Sequence, residues 1–95
     1  MSHFHNIPKD GDTRSLGEGE TKLNGFNVKL EIWSWDGIQG SSLIFKTSEI
    51  KHLHDEEIIE MVKSSAYCKD NSQTTITKAD SDLTFVNFNF EIIDD

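Results

Sequence analysis

Cysteine, arginine and proline are nearly missing from this chain of 95 residues, which contains one of each. With Cys68 as the only cysteine, no intrachain disulfide can form. Arg14 is the only arginine and the lysines lie singly along the chain. A protein that binds a nucleic-acid backbone needs several cations on one surface, so we expect no direct binding of DNA or RNA.

Long hydrophobic runs are also missing. Residues 1–10 contain no apolar core of a signal peptide, and no run reaches the ~20 apolar residues of a transmembrane helix. The sequence therefore predicts a soluble, cytoplasmic protein without membrane contact. Its 17 acidic and 9 basic residues leave a net charge of −8, which favours solubility and a partner with a basic surface.

The length fits one domain. Residues 1–21 are polar, contain glycine and show no periodicity, so they predict an N-terminal arm or flexible tail. Residues 22–95 hold the apolar clusters and are predicted to form a single α+β domain.

A β-hairpin is predicted over residues 26–35 and 38–47. Apolar and polar residues alternate from Phe26 to Ile32, and Asp36-Gly37 is typical of a two-residue hairpin turn. This turn would pair Leu30 with Leu43, Val28 with Phe45, Ile32 with Ser41 and Trp33 with Gly40. Both apolar sets then share one face, and a slip of one residue would separate them.

A helix is predicted to follow, with Leu53 and Ile58 as a hydrophobic staple around a cap at His54. Its stripe comprises Ile58, Ile59, Val62 and Ala66, with Met61 at the edge, and it should end near residues 67–70.

Two further strands complete the prediction. Residues 74–78 are rich in β-branched side chains, and a three-residue turn at 80–82 would place Ile76 opposite Val86. The next strand alternates, with one buried face formed by Val86, Phe88, Phe90 and Ile92. The expected fold is therefore α+β, a small antiparallel sheet of about four strands in ββαββ order with one helix packed on one face. The order of strands within the sheet stays open.

Trp33 and Trp35 are candidate partner-binding residues. They point away from the apolar stripe of their strand, together with Ile38 and Ile44, and tryptophan is enriched at interface hot spots. An equally weighted interpretation is that the N-terminal arm covers them.

Four carboxylates near the predicted helix start are the second candidate site. They can match the helix dipole on a solvated surface, or bind a basic partner. An acid–base pair is disfavoured, because a helix start on the surface offers all four carboxylates a similar solvated environment. These residues are Asp55, Glu56, Glu57 and Glu60.

Two His-x-His pairs are weak candidates for a metal site, because residues i and i+2 of an extended segment project to the same side. Solvent-facing histidines and a helix cap are the preferred interpretation, and we expect no cofactor. The residues are His3, His5, His52 and His54.

These patterns favour a non-enzymatic protein that binds another protein and inhibits or modulates it. In size, acidity and element order the chain is similar to bacteriocin immunity proteins and to phage-encoded inhibitors of defence nucleases, although no motif carries this likeness. The alternatives are a small histidine-based metal-binding protein or metalloenzyme, and a subunit of a homo-oligomer such as a homodimer joined at a strand edge.

Overall fold

The computed structural model describes residues 13–93. No helix in this range is long and apolar enough to cross a bilayer. Five strands and two helices follow one another along the chain: β1 (Arg14–Leu23), β2 (Phe26–Trp35), β3 (Ile38–Lys46), α1 (Thr47–Ile50), α2 (Asp55–Lys63), β4 (Thr75–Lys78) and β5 (Leu83–Ile92).

All five strands form one antiparallel sheet in the order β1-β2-β3-β5-β4. The α+β class and the antiparallel sheet are thus confirmed. The predicted count of four strands and one helix is wrong, since the element order is βββααββ.

The additional strand is β1, which lies mostly within the segment that we assigned to an arm. Asn24 and Gly25 join it to β2 with φ values of 50° and 88°, and such a positive-φ turn is typical of a two-residue hairpin. The strand was missed because it lies at the sheet edge, where neither face is fully buried and its side chains do not alternate.

The predicted hairpin of β2 and β3 is confirmed in its register. Leu30 pairs with Leu43, Ile32 with Ser41 and Trp33 with Gly40. Its turn also has the expected conformation, because Asp36 and Gly37 both have positive φ, at 51° and 77°.

One face of the sheet, which we call the helix face, carries the main core. It comprises the buried strand residues Val28, Leu43, Phe45, Val86 and Phe88, and Ile50, Ile58 and Val62 of the helices pack on it. Ile76 pairs with Val86 as predicted and lies at the border of this core. Burial of apolar area on this face stabilises the fold.

Helix α2 begins where predicted but ends earlier. His54 is its N-cap and Lys63 its last residue. Ser65 ends the helix by donating its hydroxyl to the Val62 carbonyl at 2.6 Å. Ala66, which we placed on the apolar stripe, therefore lies beyond the helix and is exposed.

The predicted alternation of β5 fails after Phe88. Ser41 pairs with Phe88 but Gln39 pairs with Glu91, so Gly40 faces two residues, Asn89 and Phe90. Asn89 has a φ of 56°, and a left-handed residue is typical of such a bulge. The bulge moves Phe90 to the opposite face, where it packs on Trp33, and Ile92 is exposed.

Candidate functional site

The acidic start of α2 is built by local interactions. Glu57 accepts a hydrogen bond from the His54 backbone N–H at 2.9 Å, as in a capping box, and three carboxylates occupy the first turn. Ile58 and Val62 hold the helix on the sheet, so the carboxylates face solvent. All four predicted acidic residues, Asp55, Glu56, Glu57 and Glu60, are exposed.

These four carboxylates differ in what they already contact. Asp55 pairs with Lys78 at 2.9 Å, and Glu57 is used by the helix cap. Within residues 13–93, Glu56 and Glu60 form no ion pair. They are four residues apart, so they lie one above the other on the same side of the helix and provide two adjacent negative charges.

The two tryptophans lie on the sheet face opposite the helices, which we call the tryptophan face. It carries Trp33, Ile38, Ser42, Phe85 and Asn87. Trp33 has no accessible surface, whereas Trp35 is half-buried. In this conformation Trp33 offers a partner no contact area, and its role as a binding residue stays a prediction.

Trp33 is held by a close approach to β3. A Cβ added at Gly40 would lie 2.5 Å from Cζ2 of the Trp33 ring, so the ring lies directly against the glycine backbone. Phe90 contacts the ring edge-to-face with the centroids 6.0 Å apart. Only glycine leaves room for the indole at this position.

A chain of hydrogen bonds runs from Trp33 across the tryptophan face. The indole N–H donates to Ser42 Oγ at 2.8 Å, and Ser42 Oγ donates to Asn87 Oδ1 at 2.6 Å. Asn87 Nδ2 then donates to Thr75 Oγ1 at 3.1 Å and weakly to Thr77 Oγ1 at 3.4 Å. Four strands, β2, β3, β5 and β4, are connected by this polar network.

The network is buried, since Ser42 is 0% exposed and Asn87 is 1% exposed. Within the described residues every buried side-chain nitrogen and oxygen has a hydrogen-bond partner. Sequence reasoning missed the network. Alternation placed Asn87 on the face of β5 opposite the predicted buried residues, and nothing in the sequence indicated that this face is itself buried.

Asn89 links the bulge of β5 to the loop that follows α2. Its side chain accepts the Lys69 backbone N–H and donates to the Tyr67 carbonyl, both at 2.8 Å. Its own backbone N–H donates to Ser72 Oγ at 2.7 Å. These bonds stabilise the left-handed backbone at Asn89 and explain why an asparagine occupies the bulge.

The structure does not bring the two predicted halves of the binding site together. The carboxylates lie on α2, which packs on the helix face, while both tryptophans lie on the other face. A single partner surface of ordinary size would therefore contact one set or the other.

The predicted histidine pairs gain no support as a metal site. His52 and His54 are both exposed, and residues 13–93 contain no group of three or more His, Cys, Asp or Glu side chains arranged for a metal ion. His3 and His5 lie outside the described residues.

Comparison of the chain with protein-family models, with curated proteins and with solved structures found no match.

Proposed function

We propose that this chain is a non-enzymatic protein that binds the basic surface of another protein through α2 and so inhibits or modulates it. The observation that carries this proposal is the outward surface of α2. Glu56 and Glu60 stand on its solvent side without an ion pair inside the described chain, and Asp55 and Glu57 extend the acidic surface.

Electrostatics of this kind act mainly on the encounter of two proteins. Exposed charges that complement a partner raise the association rate, and the effect weakens as salt screens them. Lysine and arginine side chains on the partner are the groups that these carboxylates would meet. The overall charge of −8 adds attraction at longer range.

The proposal is tested with a pair of matched double variants. Glu56→Gln/Glu60→Gln removes two charges from α2, and Glu20→Gln/Glu91→Gln removes two charges from exposed strand positions. Each is used as bait in lysate of the native cell, and retained proteins are identified by mass spectrometry. Association rates of the retained protein are then measured at low and high salt.

We expect the α2 variant to retain less partner and to associate more slowly, with the difference shrinking at high salt. The strand variant should behave like the unaltered protein. Equal losses in both variants would show that only net charge matters, and the assignment to α2 would then be wrong.

One further observation favours a second candidate, a homo-oligomer joined through β1. This strand is ten residues long and lies at the sheet edge, and a Cβ built at Gly17 or Gly19 meets nothing within 4 Å. Exposed strand edges can pair with another chain. Light scattering across a dilution series tests this candidate, because edge pairing predicts a dimer that dissociates on dilution.

The charges along β1 argue against edge pairing, so the homo-oligomer is the second candidate. Arg14, Glu18, Glu20 and Lys22 all project from it and are exposed. Charged side chains on an edge strand are a common protection against pairing with other chains.

A further inference from the structure

We infer that a groove along one side of α2 binds a segment of the partner in which an apolar side chain is flanked by arginine or lysine. The inference rests on the proposed function and names the chemistry that α2 recognises. The groove lies between α2 and the end of the β1–β2 hairpin, and its volume is about 470 Å³. Pockets that bind small ligands are commonly of this size.

Apolar side chains from three parts of the chain line this groove. Leu23 ends β1, Leu53 directly precedes the N-cap of α2, and Met61 lies on the helix itself. All three are half-buried, because they pack against the main core on one side and border the groove on the other. An apolar side chain that displaces water from this lining gains hydrophobic free energy.

Two carboxylates line the groove on the α2 side. Glu57 and Glu60 are three residues apart, so their side chains are neighbours on the helix surface. The hydrogen bond from the His54 N–H holds Glu57 in place at 2.9 Å and uses only part of its capacity to accept hydrogen bonds. Glu60 forms no ion pair with any residue of the range 13–93.

The charge of the lining selects the occupant. The described residues that line the groove include two glutamates but neither lysine nor arginine. A purely apolar occupant would desolvate the carboxylates without compensation, whereas a purely cationic one would leave the apolar lining in contact with water. A segment that carries both kinds of side chain satisfies both parts. Arginine suits the carboxylates best, because its planar guanidinium donates two parallel hydrogen bonds to such a group.

Ser64→Lys is the variant that tests the groove. Ser64 is exposed and lines the groove four residues after Glu60, so the new ammonium group would lie beside the Glu60 carboxylate and compete with the occupant. A cation at the end of a helix also suits the helix dipole, so the variant should fold normally, which thermal melts check. Ala66→Lys is the matched control, since it adds the same charge at an exposed position outside the groove lining.

The probe is a short peptide in which one leucine lies between two arginines, with glycine at both ends. NMR shifts of the methyl groups of Leu23, Leu53 and Met61 are followed as the peptide is added. We expect saturable shifts in the unaltered protein and in Ala66→Lys, and several-fold weaker binding to Ser64→Lys. A peptide with glycine in place of the leucine should also bind several-fold more weakly. Absence of saturable shifts at these methyl groups at millimolar peptide, or equal binding to both lysine variants, would overturn the inference.

Capture of the partner from lysate separates this inference from the proposed function. Ser64→Lys should retain less partner than Ala66→Lys. Equal retention by these two, together with a loss in Glu56→Gln/Glu60→Gln, would overturn the groove and leave binding through α2 intact. Equal retention by the double glutamine variant and the unaltered protein would overturn the proposed function. In that case the methyl shifts still decide whether the groove binds such a segment.

Discussion

Both faces of the sheet contain buried side chains, but the two faces are built from different chemistry. The helix face is an apolar core in which Leu43, Val86 and Phe88 meet the helices. The tryptophan face contains an indole, a serine and an asparagine joined by hydrogen bonds. Apolar packing tolerates exchange of residues of similar volume, whereas a buried polar network is stable only while each member keeps its partner.

This difference predicts which substitutions each face tolerates. On the helix face the energetic cost should follow the volume removed. On the tryptophan face it should follow the hydrogen bonds lost and the space left for the indole. Four substitutions and their controls separate the two, from the largest expected effect to the smallest.

Phe88→Ala should produce the largest loss. Phe88 is 0% exposed, and emptying such an aromatic site costs about 3–5 kcal/mol of unfolding free energy. Ile92→Ala on the same strand is the control, since Ile92 is 67% exposed and should change little. Urea denaturation measures the unfolding free energy of both variants. A loss under about 1 kcal/mol for Phe88→Ala would show that Phe88 is not part of the core.

Ser42→Ala tests the polar network. It removes the hydroxyl that joins the Trp33 N–H to Asn87 Oδ1, and the loss of a hydrogen-bond partner by a buried polar group costs ~1–3 kcal/mol. We expect about 2–3 kcal/mol in total by the same denaturation measurement. The neighbouring Ser41→Ala, on the other face and partly exposed, is the control; similar losses for both serines would mean that the network adds no stability.

Gly40→Ala tests the space under the indole. The new methyl group would lie 2.5 Å from the Trp33 ring, so the ring or the strand must shift, at a cost of about 1–3 kcal/mol. Gly19→Ala is the matched control, because nothing lies within 4 Å of its added Cβ. A melting temperature equal to that of the control would contradict the placement of the ring.

Glu57→Ala should have the smallest effect. It removes the carboxylate that accepts the His54 N–H and should cost about 0.5–1 kcal/mol, the range of a helix cap. The Glu56 side chain, on the same turn, makes no such bond. The unfolding free energy of Glu56→Ala should therefore stay within about 0.5 kcal/mol of that of the unaltered protein. The melting temperature of Glu57→Ala should therefore be lower than that of Glu56→Ala. The reverse order would show that the cap is not formed in solution.

The sequence predicted the local features of the fold well. Asp36-Gly37 and the alternation of β2 were enough for the β2–β3 register, and the length of the 80–82 turn correctly paired Ile76 with Val86. Both pairings are set by residues that lie near each other in the chain. Where a strand is half-buried and its turn is short, the alternation of apolar residues and the turn geometry predict the same register.

One missed feature had a local signal, and the others depend on distant contacts. The Asn24–Gly25 turn was a usable signal for β1, but the strand itself has no apolar period. The bulge at Asn89 depends on bonds to a loop about twenty residues earlier, so no local pattern reveals that Phe90 changes face. For the same reason, alternation showed that Trp33 points away from the helix but not that it is buried.

The candidate site was predicted in part. The exposure of the α2 carboxylates follows from the helix pattern, and the structure shows it. Their separation from the tryptophans follows from the sheet, because strands place neighbouring residues on opposite faces. That separation makes α2 the surface to examine for a partner and the tryptophan face a second core.

Hydrogen exchange of the Trp33 indole N–H tests this second core most directly. Because this proton is buried and bonded to Ser42 Oγ at 2.8 Å, it should exchange only through global unfolding, at a rate that matches the slowest backbone amides of β3 and β5. Exchange at the rate of a solvent-exposed indole, while those amides stay protected, would contradict a closed and hydrogen-bonded tryptophan face.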